Sequence, residues 1–197
     1  NFLGTLQNEW AGAQAFSSLD TYMAPFVKKK ELEIREQIQK YGMKFSSAKV
    51  KKQYIADAVY AYVYQNLQSF VFNLNIPSRW GTQTPFTNIT LDWDCPLDMK
   101  DKRLLLGGKP FEYTFGELQP EMDIVNRAFI EVMSRGDAKG RTFTFPIPTY
   151  NIGKDFDWES DKNLPLFDMT AKYGTPYFQN FVNSELNPSD VRSMCCR

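Results

Sequence analysis

Phe86-Thr87-Asn88-Ile89-Thr90-Leu91 is the stretch on which the fold turns. Its threonines, isoleucine and phenylalanine favour a pleated strand, and it stands between two helical patterns. Upstream, residues 47–75 carry Ile55, Val59, Val63, Leu67 and Val71 at i+4 spacing. Tyr54, Ala58, Tyr62 and Phe70 widen that apolar face, Ser46 or Ser47 supplies an N-cap, and Asn75-Ile76-Pro77 ends the run. So apolar a helix belongs in a core or at a subunit interface. Downstream, Pro120 opens a helix lined by Met122, Val125, Phe129 and Val132 and closed by Gly136.

The same alternation continues. Thr142-Phe143-Thr144-Phe145-Pro146-Ile147 reads as a second strand, residues 164–173 as a short helix ended by Gly174, and residues 177–182 as a third strand. Strands separated by helices predict an α/β fold with a parallel sheet. Before it, Trp10-Ala11-Gly12-Ala13-Gln14-Ala15-Phe16 suits a tightly packed helix or helix pair that Pro25 breaks or caps. Residues 28–41 suit an amphipathic helix ending at Gly42, with Lys28-Lys29-Lys30 as a solvated face. The expected organisation is therefore one unit over 1–197, helical over 1–76 and alternating strand and helix over 77–197. Residues 94–117, with Pro96, Pro110 and a Gly107-Gly108 turn, read as a loop excursion.

Composition narrows the function classes. Hydrophobic residues make up 43% and charged residues 23%, which is a folding rather than a disordered composition. Lys plus Arg and Asp plus Glu balance at 23 each, which argues against a partner that is a nucleic-acid polymer. Histidine is absent, removing Ser-His and Cys-His nucleophile pairs and the commonest metal ligand. Cys95, Cys195 and Cys196 make no disulfide framework, so a reducing, cytoplasmic location is expected. No apolar run reaches membrane-spanning length. Residue 1 is Asn and the chain stops on Cys195-Cys196-Arg197, which reads as an internal fragment of a longer protein.

Candidate chemistry sits at strand ends, where parallel α/β folds place their ligands. Arg79, Gln83, Thr84 and Asn88 crowd the entry to the first strand. Their amides and hydroxyls either read a sugar or satisfy a loop-to-strand turn, and the residues alone leave both open. Thr149-Tyr150-Asn151 follow the second strand, Asn180 and Asn183 lie along the third, and the three sets could converge on one site. Asp92, Asp94 and Asp98 lack calcium-loop spacing and read as a solvated loop, with no metal site expected. Cys95 reads as a free or structural thiol.

Three segments carry a resemblance. Ser78-Arg79-Trp80-Gly81-Thr82-Gln83-Thr84-Pro85-Phe86-Thr87-Asn88, Gly140 through Asn151, and Asp190-Val191-Arg192-Ser193-Met194-Cys195-Cys196-Arg197 resemble the anaerobic (class III) ribonucleoside-triphosphate reductases, and the resemblance runs over essentially the whole chain. The resemblance implies an internal fragment of a catalytic subunit built on a ten-stranded α/β barrel of the glycyl-radical type. It implies that Cys196 becomes a thiyl radical and takes the 3′ hydrogen of a ribonucleoside triphosphate, after which the 2′ hydroxyl leaves as water. Sulfur suits this role because S–H and ribose C–H bonds are comparable in strength. Gln83, Thr84 and Asn88 are the candidate substrate-binding residues. If the end of the chain is extended, Cys195 faces away from Cys196 and packs as a small apolar residue.

The resemblance also implies a radical-bearing glycine installed by an iron–sulfur, S-adenosylmethionine-dependent activase, formate as reductant, a structural zinc, dNTP and ATP effectors, and a homodimer. The glycyl-radical loop, the zinc-binding cysteines and the ATP-binding domain are absent from these 197 residues, so the isolated chain is expected to be inactive. A partial barrel would expose strand edges and aggregate. The alternatives are a non-catalytic nucleotide-binding or dimerisation module from the same family, or another glycyl-radical enzyme such as a formate-lyase relative.

Overall fold

The computed structural model describes residues 13–76, 84, 86–186 and 191. Four parallel strands form its sheet: β1 (Gln14–Phe16), β2 (Thr87–Leu91), β5 (Ile147–Ile152) and β6 (Tyr177–Asn180), in that spatial order. The helices are α1 (Leu19–Lys40), α2 (Ala48–Leu74), α3 (Gln119–Arg135) and α4 (Leu164–Tyr173). A separate antiparallel hairpin, β3 (Arg103–Leu106) and β4 (Lys109–Thr114), interrupts the series.

All four helices pack on one face of the sheet. Ile89, Leu91, Tyr150 and Ile152 from the strands share a core with Val27 and Ile34 of α1, Val59 and Val71 of α2, Phe129 of α3 and Leu166 of α4. Each fully buried aliphatic or aromatic side chain contributes about 1.5–3 kcal/mol. The sheet's strand order follows chain order, and every new strand joins on the same side. A right-handed crossover rule applied without reversal keeps the helices on one side and leaves the other face of the sheet bare of them.

Helix α2 matches its sequence pattern. The Ser47 side chain accepts a hydrogen bond from Val50 N, and the apolar i+4 series is buried from Ile55 to Val71. Part of its remaining circumference is open, with Tyr54, Tyr62 and Phe72 exposed.

Several expectations are corrected. Residues 1–76 are not all helical, because Gln14–Phe16 pairs in parallel with β2 as an edge strand. Pro25 does not end a helix; α1 runs through it. An internal proline costs about 3 kcal/mol, which the burial of Leu19, Ala24, Val27, Ile34 and Ile38 offsets. Residues 103–114 are a hairpin rather than a loop: Gly107 and Gly108 have φ of 61° and 77°, as a two-residue turn of the hairpin type requires. The second strand starts at Ile147 instead of Thr142. Residues 144 and 145 bond to a side chain, since Thr144 N and Phe145 N donate to Asn75 Oδ1 and Asn75 Nδ2 donates to Phe145 O. The lysine run is not a wholly solvated face, because Lys28 pairs with Glu31 and Glu121 at 2.8 and 3.1 Å and lies over the Tyr113 ring.

Candidate functional site at the strand ends

Side chains alternate along a strand, so the neighbours of the core-facing residues point to the face without helices. In β2 these are Asn88 and Thr90; in β5 they are Thr149 and Asn151. The register sets Thr90 beside Thr149, and Thr149 and Asn151 beside Tyr177 and Gln179 of β6. A polar row thus crosses adjacent strands. It is not solvated, for Asn88, Thr90 and Thr149 are 1%, 3% and 6% exposed.

The row is only partly satisfied. Asn88 Nδ2 donates to Ile147 O at 2.8 Å and to Thr149 Oγ1 at 3.2 Å. Asn151 Nδ2 donates to Asp92 Oδ1 at 2.8 Å. Asn88 Oδ1, Thr90 Oγ1 and Asn151 Oδ1 are buried with no hydrogen-bond partner among the described residues. Leaving such a group unmatched costs about 1–3 kcal/mol.

At the C-terminal end of β2 the row meets a pair of carboxylates. Asp92 Oδ2 accepts from Thr21 Oγ1 at 2.6 Å. Behind it, Asp20 sits in the first turn of α1 but does not cap that helix. Its Oδ1 accepts from Asp92 N, and its Oδ2 accepts from Trp93 N and Asn126 Nδ2, each at 2.9 Å. Asp20 thereby holds a tight backbone turn, since Trp93 has a φ of 65°. Full burial, reinforced by the negative Asp92, pushes the Asp20 carboxyl up to about 7 despite these three bonds. Burial likewise raises the Tyr150 hydroxyl well above its ordinary value.

A cleft of about 480 Å³ opens at this end of the sheet. Asp92 and Asn151 line it together with Lys154, Phe156 and Phe181. Cys95 also borders it, as a free thiol that burial and the nearby Asp92 raise to about 11. That value keeps the thiol protonated near neutral pH, which is unsuited to a nucleophile.

The sequence-predicted residues fall in different places. Arg79, Gln83, Cys195 and Cys196 lie outside the described residues. Thr84 precedes β2 in the loop, and Asn88 is inside β2 on the polar row. Thr149 and Asn151 are within β5 rather than after it, and they do meet Asn88 and Asp92. Asn180 does not converge with them: it pairs with Ile152 on the other face, and its side chain accepts from Val182 N. Asp92 is buried at 7% exposure, not solvated, whereas Asp94 and Asp98 are surface partners of Lys162 and Lys102. Sequence reading passed over Asp20 and Thr90. Asp20 shows no local signal, since an acid in a first helical turn is ordinary. Thr90 was legible only as a strand former.

The model of one protein family, anaerobic ribonucleoside-triphosphate reductase, matches residues 1–197. The chain belongs to that family. No curated protein matches it. Among solved structures, the anaerobic ribonucleotide reductase of Thermotoga maritima with citrate in its active site is 20% identical, with a TM-score of 0.61, over 92% of this chain and 29% of that one. The same enzyme with dATP in its specificity site gives 20% identity and a TM-score of 0.61 over 98% and 29%. Its complex with dATP and CTP gives 21% and 0.58 over 94% and 27%. At such identities the likeness speaks for the fold, and the chain spans less than a third of these relatives' length. The parallel α/β arrangement expected for the family is thus present.

Proposed function

We propose that this chain is part of the catalytic subunit of an anaerobic ribonucleotide reductase and that its sheet is an arc of a ten-stranded α/β barrel. The family match over the whole chain carries the functional reading. The barrel is supported by the sequential strand order with every helix on one face, because a doubly wound sheet would reverse its order part-way. In a closed barrel the helix-free row of Asn88, Thr90, Thr149 and Asn151 would line the interior. Buried polar side chains with unmatched acceptors are what a substrate-facing wall needs and what a purely structural wall avoids.

In this reading the substrates are ribonucleoside triphosphates, and Gln83, Thr84 and Asn88 belong to their binding region. The relatives' complexes with dATP and CTP make nucleotide effectors a fitting second class of ligand. Cys196 takes the 3′ hydrogen: its S–H bond forms as the ribose C–H bond breaks, and the radical passes to the sugar carbon. The barrel's task is to hold sulfur and sugar in contact and to keep water out. The radical glycine and formate are the family's sources of the radical and of reducing equivalents. Among the described residues no group of three or more Cys, Asp or Glu is placed to hold a metal. A radical-SAM activase and a second copy of the subunit are the proposed partners. Between α1 and α2 an apolar groove of about 420 Å³, bordered by Phe16, Phe26, Tyr62 and Phe70, is a surface suited to subunit contact. No helix among the described residues is long and apolar enough to cross a membrane, and a cytoplasmic setting fits this chemistry.

The test is anaerobic turnover by the activated full-length protein. Cys196→Ala should abolish reduction while the glycyl radical signal in electron paramagnetic resonance persists, and Cys195→Ser should be much milder. Near-normal reduction by Cys196→Ala would remove that residue from the mechanism.

A further inference from the structure

The cleft at the end of the sheet has two walls that different strands supply. The turn after β2 brings Asp92 and Asp94 to it, and the segment after β5 brings Asp155 and Phe156. Behind both walls, just before α4, stands Asn163, which is fully buried. Its Oδ1 accepts from the Trp93 indole Nε1 at 3.0 Å, and its Nδ2 donates to Asp157 O at 2.6 Å. Trp93 lies between Asp92 and Asp94 in the chain, and Asp157 follows Phe156. One amide therefore holds the first wall by its oxygen and the second by its nitrogen. With both ends engaged the amide has a single orientation, and away from water such bonds are strengthened. The rings repeat the tie, with Trp93 and Phe156 centroids 6.5 Å apart. Lys162 also reaches the first wall, 2.9 Å from Asp94 Oδ1, but that pair is partly exposed, and water screens it.

We propose that Asn163 is a positioning residue that sets the width of this cleft, and through it the fit of the ligand. Asn163 does not line the cleft; it acts only through Trp93 and Asp157. The proposal rests on the reading of the chain as part of a reductase whose substrate reaches this end of the sheet. Asn151 ties the base of the two walls by donating to Asp92, and Asn163 ties them from behind. A buried asparagine that only satisfied its own amide has no need to span two walls. This one joins a turn 70 residues away in the chain to a loop six residues away. Without it each wall keeps its own strand and its own apolar contacts, and the distance between them is what loses its restraint.

The test separates this strut from plain stability. In the full-length protein, Asn163→Leu removes both bonds at similar volume, and Trp93→Phe removes the indole N–H while keeping an aromatic ring. Native-state hydrogen exchange should speed up at residues 92–95 and 153–157 together, by about 10-fold more than in α2, because local opening rather than global unfolding is released. In turnover by the activated protein, Asn163→Leu should raise KM for ribonucleoside triphosphate about 10-fold with kcat within about 2-fold, because a loosened cleft weakens contacts made equally to ground and transition states. Trp93→Phe is the gentler change and should shift KM the same way, so it carries the test if Asn163→Leu does not fold. The double variant should be no worse than Asn163→Leu alone, since both changes break one strut. A lower kcat at unchanged KM marks an asparagine that only maintains folded protein, and overturns the proposal. So does faster exchange confined to one wall. If the parent reduces no ribonucleotide yet exchange rises at both walls, the reductase reading falls and the strut stands. If the parent reduces ribonucleotides and neither variant shifts KM, the proposal falls alone.

Discussion

Raising the pH from about 5 to about 8 should weaken this fold through Asp20. The Asp20 carboxyl rises from an ordinary 3.8 to about 7, first because it is fully buried and second because Asp92 is beside it. A carboxyl raised in the folded state binds its proton more tightly there than in the unfolded chain. Its stabilising protonation is complete below the unfolded value and is lost as pH climbs through the folded one. A shift of about 3 units corresponds to about 4 kcal/mol in total, of which about 3 kcal/mol falls between pH 5 and 8. The assay is urea unfolding across this range, followed by tryptophan fluorescence, for the parent and for Asp20→Asn. The variant cannot titrate at this position. Its amide N–H must oppose one of the three donors from Asp92, Trp93 and Asn126, so it starts lower by about 1–3 kcal/mol. The parent-minus-variant difference cancels the other titrating groups and should fall as pH rises. A flat or rising difference would refute the account of Asp20 as a buried acid beside a second charge.

Three further outcomes follow from local geometry. Gly136 ends α3 at a φ of 71°, and a Cβ there would lie 2.3 Å from the Arg141 carbonyl oxygen; Gly136→Ala should cost at least about 2 kcal/mol in chemical unfolding, because both strain and backbone collision apply. Asn75→Ala removes the side chain that bonds Thr144 N, Phe145 N and Phe145 O; a loss of about 2–3 kcal/mol is expected, with hydrogen exchange rising first at residues 144–145. Leu166 is fully buried in α4; Leu166→Ala should cost about 2–5 kcal/mol by leaving a cavity, read as a lower urea midpoint.

Residues 48–74 show how far periodicity reaches. The Ser47 cap, the i+4 apolar series and the Asn75 stop were all visible in the sequence because each is a local property of a helix. The parallel sheet was legible for the same reason, from strand-forming runs separated by helices. The hairpin at 103–114 escaped because its strands have an exposed, irregular burial pattern that no alternation rule catches. The start of β5 escaped because a distant asparagine side chain occupies residues 144 and 145.

For this protein the sequence by itself determined the α/β class, the main helices and membership of a reductase family, since composition, local periodicity and ordered motifs are properties of the chain read in line. Only the tertiary structure decided that Thr90 and Asn151 share a face, that Asp92 is buried, and that Asp20, 72 residues away, holds the turn beside it. Those relations depend on strand register and on which face the helices cover, and neither is written in any contiguous stretch.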